Sequence, residues 1–546
     1  MSYLRDLRRA VNDPRSFWPI NAFGGGGAAS SLAQTLVTTW SSSGDGLAMV
    51  FETAPSIFVE DSGTPENYTN LKLSSSLSDF SAYLTYTNPH VKIVRQADGT
   101  YKYCAHNLYL NSASPANQAI TVVSGASYAV TITGSVSVTA SGAATGTWTA
   151  GTNTFTAATT TLTLGSTSGS GTVHVYKTPA DATYLATTGA ARYALPISYD
   201  SSGVAEGLLV EPAATNLIVS NDPGDVDGNA TVVESAQVAP SGLTEAATAE
   251  FDGTDIVAQS ITISASTTYT YSVYVKNIDS VGIIEMQWRN ISAANKVSVW
   301  FNLANGTRGT VGSASGTVTY VDSGIEDVDG SGWYRVWIAA STSGTNCTPV
   351  WFAVTADNGS TRDDSGVVAF WRDQLEAASR PTSLILTNGA MVTRDADLID
   401  KAATAFNLGS AFSMYVKYTI SRYANFPQPI GITDGGTTNR VDIYTGATSA
   451  VTYRASASGT NINLGNMTGL NTSQKVACRA QEDSFNAALN GTAGTADTSG
   501  SMPTGLTILD IGDGRSGVNQ QLSGLIKEIL IVPEGWNDAT LESITT

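Results

Sequence analysis

Four residues of the chain could grip a sugar: Trp300, Trp337, Trp351 and Arg335. An indole offers a flat apolar face with a polar edge, and a guanidinium offers donors in a fixed fork. Both must stay exposed to be used. Strand side chains alternate between faces, so parity selects candidates. In KVSVWFNL, Val297, Val299, Phe301 and Leu303 share one face, and Trp300 falls on the other with Ser298 and Asn302. In GWYRVWIAA, Trp333, Arg335 and Trp337 oppose Tyr334, Val336 and Ile338. In PVWFAVTA, Trp351 opposes Val350, Phe352 and Val354. Trp288 sides with Ile284 and Met286 and is expected in the core. The expectation is that Trp300, Trp337, Trp351 and Arg335 line one concave sheet face. The alternative is that these rings pack against a neighbouring domain or subunit.

Other chemistry is thinly supported. The three histidines, His90, His106 and His174, make no HExxH pair, and no GxSxG elbow occurs. GDGRSG at 512–517 lacks the lysine of a phosphate loop, and Gly24–Gly27 follow no strand. Both read as glycine turns. Asp225-Val-Asp227-Gly-Asn229 spaces oxygen ligands as the opening of a calcium loop does, but no glutamate stands at the twelfth position. Calcium and a solvated turn both remain open there. Glu326-Asp327-Val-Asp329-Gly reads as a turn before a strand. No catalytic residue and no other cofactor is expected.

Composition sets the frame for these residues. The chain has 546 residues, of which 14% are charged, against about 25% in an ordinary domain. Aromatic residues are plentiful, so it reads as folded rather than disordered. The net charge is −18. Residues 1–20 carry four arginines against two aspartates, so the rest is more acidic still. That balance argues against nucleic acid or an anionic membrane as partner. Cys104, Cys347 and Cys478 are odd in number and far apart, which suggests isolated thiols. No apolar run is long enough for a membrane helix, and the N-terminus lacks a signal-peptide core.

Along the chain, Leu4, Leu7 and Val11 recur at helical spacing until Pro14, followed by Phe17, Trp18 and a four-glycine joint. This stretch, 1–27, is expected to be an anchoring arm. Residues 28–105 read as an irregular β attachment domain. Residues 106–190 alternate in period 2 through AITVV, YAVTITG, SVSVTA, TLTLG and TVHVY, and form a small β-sandwich. Residues 191–390 hold six strands with turns between them, a two-sheet jelly roll. Residues 391–546 form a last sandwich, with a short helix at NDATLESI capped by Asn537. One phrase occurs twice. NLYLNSA at 107–113 and NLIVSND at 216–222 each open a β-rich run, closed by TYLATTGA at 183–190 and SLILTNGA at 383–390. Matched ends suggest one module type used twice. The fold class expected is all-β: tandem antiparallel sandwiches with a short N-terminal helix.

With GLLVEPAATNLIVSN, SVYVKN, GWYRVWIA, FWRDQLEA, RPTSLILT and TR in view, the region 191–395 resembles bacteriophage fibre, spike and minor structural proteins. In that group a similar phrase leads into a jelly roll like carbohydrate-binding modules. Residues from 405 on resemble concanavalin-like and laminin-G-like sandwiches, through AALNG and LSGLIKEILIV. The resemblance implies a structural calcium in some such jelly rolls. It also implies a virion surface location on tail or head, a homotrimer, attachment to other virion proteins through the N-terminus, and adsorption to host surface polysaccharide. The rival expectations are a glycan-depolymerising spike, which would use paired carboxylates, and an architectural head decoration protein.

Overall fold

The computed structural model describes residues 32–546 apart from 42–45, 54–55, 61–83, 88–90, 223–226, 229, 252–256, 280–281, 329, 364–365, 403–407, 423–425, 447–448, 457–458 and 514–519. Leu4, Leu7, Val11, Phe17 and Trp18, the residues expected to anchor the chain, lie outside the described residues. So do Asp225 and Asn229 of the calcium candidate, and of Asp227 only the backbone is described. The rest is β-structure with two helices, Leu32–Trp40 and Asp538–Thr545. Among the described residues no helix is long and apolar enough to cross a membrane.

The base of the molecule is a two-sheet sandwich. A nine-stranded sheet takes in Gly46–Val50, Ser56–Glu60, Ile197–Tyr199, Ala205–Val210, Ala411–Tyr418, Gln474–Gln481 and Gly524–Val532. A seven-stranded sheet runs through Thr85–Thr87, Leu398–Ala402, Ile508–Ile511, Ile430–Thr433, Arg440–Thr445, Ala450–Ala455 and Thr460–Asn466. Met49, Leu208, Met414 and Ile531 of one sheet meet Ile399, Ile430, Ile443 and Ile511 of the other in a common core. Each such side chain contributes roughly 1.5–3 kcal/mol on burial. Both helices cover the back of the nine-stranded sheet. Val37, with Leu36 and Trp40, packs beside Leu541 and Ile544, and the Trp536 indole donates to the Trp40 carbonyl at 2.9 Å. Asn537 caps the second helix as expected, accepting from Thr540 N. The first helix falls where irregular β is expected: four β-branched residues in LAQTLVTTW hide its i, i+4 apolar spacing.

Two modules rise from this base. The smaller has a four-stranded sheet (Gly146–Trp148, Ser137–Gly142, Thr161–Ser168, Gln118–Thr121) over a three-stranded one (Gly151–Thr156, Ser127–Ile132, Val173–Lys177). The larger is built from β1 (Thr231–Val238), β2 (Thr244–Glu250), β3 (Thr268–Asp279), β4 (Ile283–Arg289), β5 (Lys296–Asn302), β6 (Thr307–Val311), β7 (Val318–Asp327), β8 (Trp333–Thr342), β9 (Asn346–Val354) and β10 (Val367–Glu376). Its first sheet is ordered β1-β2-β10-β3-β8-β7. Its second is ordered β9-β4-β5-β6 beyond three two-residue strands. Tyr271, Val273, Val336 and Phe370 face Ile284, Met286, Trp288, Val299 and Trp351 across the core. All six expected strands of this module are present. The ones missed are β1, β2, β6 and β7, where Gly, Ser, Asp and Glu dilute the apolar alternation.

The expected boundaries differ from the sheets. Residues 28–105 are not a separate unit: Gly46–Val50 pairs with Gly524–Val532, and Thr85–Thr87 pairs with Leu398–Ala402. Residues 197–210 also belong to the base, since Leu208 pairs with Ile526. Long-range pairing of this kind leaves no local pattern.

Candidate glycan-binding face

The four residues singled out do not share a face. Arg335 and Trp337 stand on β8 in the first sheet, and Trp300 and Trp351 on β5 and β9 in the second. Parity placed Trp333, Arg335 and Trp337 correctly on the outer side of β8. That side is covered. The hairpin Ile93–Tyr103 lies on it, with Tyr101 edge-on to Tyr274 at 5.8 Å. Arg335 donates to the Thr382 carbonyl at 2.7 Å and to Ser272 Oγ at 3.0 Å, over the Tyr274 ring. Trp337 lies across Gly324, where a Cβ would come within 2.7 Å of the indole, and Arg380 caps it. Trp351 points into the core, with Phe251 and Phe370 at 5.7 and 5.4 Å. Both of its strand faces are apolar, so alternation gave no inside. Trp300 is on the outer face beside Ser298 as expected, but only 7% exposed, its Nε1 donating to the Gly359 carbonyl at 3.2 Å. Trp288 is core, as expected.

What the outer face of the second sheet does present is a charged row. β4 alternates, so Glu285, Gln287 and Arg289 point away from Ile284, Met286 and Trp288. In register, Arg289 stands between Lys296 and Thr348, Gln287 between Ser298 and Val350, and Glu285 between Trp300 and Phe352. Arg289 Nε donates to Gln287 Oε1 at 2.6 Å, Gln287 Nε2 donates to Glu285 Oε1, and Lys296 Nζ approaches the same Glu285 oxygen at 3.6 Å. The Arg362 guanidinium sits over Phe352, 3.6 Å from the ring centre. Its loop is tied down by Asp357, which accepts from Thr310 N and Oγ1 at 2.9 Å each.

Glu285, Gln287, Ser298, Trp300 and Phe352 form the buried floor; Arg289, Lys296 and Arg362 are half-buried above it. Burial, and then the neighbouring Arg362 charge, push the Arg289 pKa below its usual value, against the pull of Glu285. An anion over this preordered floor would receive charge-assisted hydrogen bonds from the two guanidiniums. The arrangement can bind; it has no nucleophile–base pair. β4 parity could have found Glu285, Gln287 and Arg289. Arg362 sits in a loop with no periodic signal.

The buried carboxylates that flank the repeated phrases of the larger module are structural. Glu211 accepts from Ser383 N and Oγ at 2.7 and 2.6 Å and pairs with Arg394 at 3.0 Å and Lys92 at 3.3 Å. Burial alone would raise its pKa, but these cations and donors hold it at about 2. Asp397 accepts from Glu211 N at 2.7 Å and pairs with Lys92. Glu376 accepts from Thr382 N at 2.7 Å and Gln374 Nε2 at 2.6 Å. His106 and His174 are structural too, bonded to the Cys104 and His106 carbonyls at 2.8 Å. The three cysteines are buried and free. Among the described residues no three His, Cys, Asp or Glu side chains converge as a metal would require.

No family model matches the chain, and no curated protein matches it. Among solved structures it is similar to the CBM40 of the Ruminococcus gnavus IT-sialidase bound to α2,3-sialyllactose, at 14% identity, TM-score 0.23, over 26% of this chain and 85% of that one. It is similar to the NanB sialidase of Streptococcus pneumoniae at 13% identity, TM-score 0.23, over 27% of this chain and 26% of that one. Domain 4 of AbnA, a GH43 extracellular arabinanase of Geobacillus stearothermophilus, in complex with arabinotriose, is similar at 9% identity, TM-score 0.23, over 28% of this chain and 73% of that one.

Proposed function

We propose that the chain is a glycan-binding surface protein of a tailed-phage particle, attached through its N-terminal arm and binding acidic host polysaccharide through the β4-β5-β9 face. The observation that carries the binding proposal is the Arg289–Gln287–Glu285 row with Arg362 beside it, on a sheet face whose charged tips reach solvent. A body of net charge −18 repels acidic polymers in general, so such a ligand needs a local cationic grip. The phage assignment rests on the resemblance across 191–395. A homotrimer would bring three such faces together, and linked sites can raise apparent affinity about 10²–10⁴-fold. The proposal is binding without catalysis.

The test uses the full chain on intact host cells and on cells stripped of surface polysaccharide. Binding lost on stripping, and weakened about 10–100-fold by Arg289→Ala with Arg362→Ala, is the expected result, since hydrogen bonds to charged groups contribute about 1.5–3 kcal/mol. Equal binding to both cell samples overturns the glycan reading. Release of reducing ends from the polysaccharide would instead identify a depolymerising spike.

A further inference from the structure

Among the described residues, large exposed hydrophobics are mostly aliphatic; the rings among them are Tyr184 and Phe426, and Phe426 is the more exposed at 48%. Phe426 stands in the loop before Ile430–Thr433, on the base sandwich rather than on the module that carries the charged row. Its φ is +53°, a left-handed conformation that is costly for a bulky residue. The Pro427 carbonyl after it is held by Thr445 N at 2.9 Å. The ring meets Tyr444 edge-on, centres 6.0 Å apart. Arg454 covers the Tyr444 ring at 4.6 Å and grips Asp442 with two donors, Nε to Oδ1 at 2.9 Å and Nη2 to Oδ2. Asp442 is fully buried, with Arg440 at 3.5 Å on its other side.

The register extends this group across the open sheet. Tyr444 faces Thr452, Arg454 faces Asn461 and Thr452 faces Asn463. Both asparagines are exposed. From the exposed ring, the Tyr444 and Thr452 hydroxyls, the Arg454 guanidinium and the two amides thus follow one another across neighbouring strands of one face. A sugar ring has one apolar C–H face and a rim of hydroxyls, which suits that combination. Arg454, the guanidinium on the Tyr444 ring, is the one Asp442 grips with two hydrogen bonds, so the cation beside the aromatic pair is already paired.

We infer that the outer face of the base sandwich, centred on Phe426 with Arg454, Asn461 and Asn463, is a second saccharide site, and that it takes uncharged sugar units of a polysaccharide. It is independent of the Arg289 face. The test is retardation of the full chain in native gels containing soluble neutral glucan, galactan or mannan. At least one polymer is expected to retard the wild type. Phe426→Ala should weaken that retardation about tenfold at an unchanged melting temperature. Phe426→Tyr should keep it, and Asn461→Ala with Asn463→Ala should weaken it without touching the ring. Arg289→Ala should leave it intact, which separates this site from the first. Retardation that survives Phe426→Ala, or no retardation of the wild type by any of the three polymers, overturns the inference. So does a shift in oligomeric state on Phe426→Ala, which would make the ring a subunit contact.

Discussion

The two modules are fastened by the same device and differ in what they carry. In the smaller, Asn107 donates to the Leu185 carbonyl at 2.8 Å and accepts from Tyr109 N and Val175 N at 3.1 Å each. In the larger, Asn216 donates to the Ile385 carbonyl at 3.0 Å and accepts from Ile218 N at 3.2 Å and Leu375 N at 3.1 Å. Leu185 and Ile385 hold the same place in TYLATTGA and SLILTNGA. Five residues past each asparagine, Ser112 Oγ accepts from Thr187 N, and Asn221 Oδ1 accepts from Thr387 N, both at 3.0 Å. The exit strand then pairs back on the entry strand, Arg192 opposite Asn107 and Val392 opposite Asn216. Each module therefore leaves and rejoins the chain through one clasp. Residues 107–190 contain only Lys177 and Asp181 as charged side chains, so the smaller module cannot build a row like that on β4. A shared clasp with unequal contents argues that holding and binding are separate tasks.

Glu211→Gln should separate the two modules most. Only the larger clasp is backed by the Glu211–Arg394–Lys92–Asp397 network. Removing one partner of a buried pair costs about 3–5 kcal/mol. Proteolysis and amide exchange should show 216–390 loosened and 107–190 unchanged. Equal loosening of both would mean that the network holds the base, not the module.

Next come Asn107→Ala and Asn216→Ala. Each strands buried donors and acceptors, at about 1–3 kcal/mol for a group left unpaired. Each is expected to open its own module alone. Loss of cooperative melting for the whole chain in either variant would contradict two separate clasps.

The smaller effect is on pH, where the modules should move in opposite directions. Burial lowers the His106 pKa to about 3. The unfolded chain then binds more protons than the folded one from about pH 6.5 downward, so the smaller module weakens as pH falls toward 3. Burial raises the Asp373 pKa to about 7 in the larger module, against its hydrogen bond from Tyr271. There the folded state binds more protons between about pH 4 and 7, so stability falls as pH rises. Exchange protection, corrected for intrinsic rates, at pH 4.5 and 6.5 should show the crossing. Parallel trends in the two modules would count against these assignments, and Asp373→Asn should flatten the larger module's trend.

These contrasts show what was legible. The repeated phrases marked the module ends because the clasp needs an amide at a fixed place in each. Period-2 alternation found most strands and the outward side of β8. It could not show that the side carrying Trp333, Arg335 and Trp337 is roofed by a hairpin about 230 residues earlier, because cover by a distant segment leaves no trace in local spacing. Trp351 misled for another reason: Val350 and Phe352 made both faces of β9 equally apolar. The charged row on β4 was readable in part, since the parity that put Trp288 in the core also turned Arg289 outward.

The most direct measurement is amide exchange of the full chain with and without soluble host polysaccharide. Added protection over 283–289, 296–302 and 348–354, with none over 127–132 or 173–177, is the predicted result. Protection confined to the smaller module, or none in the larger, would contradict the assignment of acidic-glycan binding to the β4-β5-β9 face.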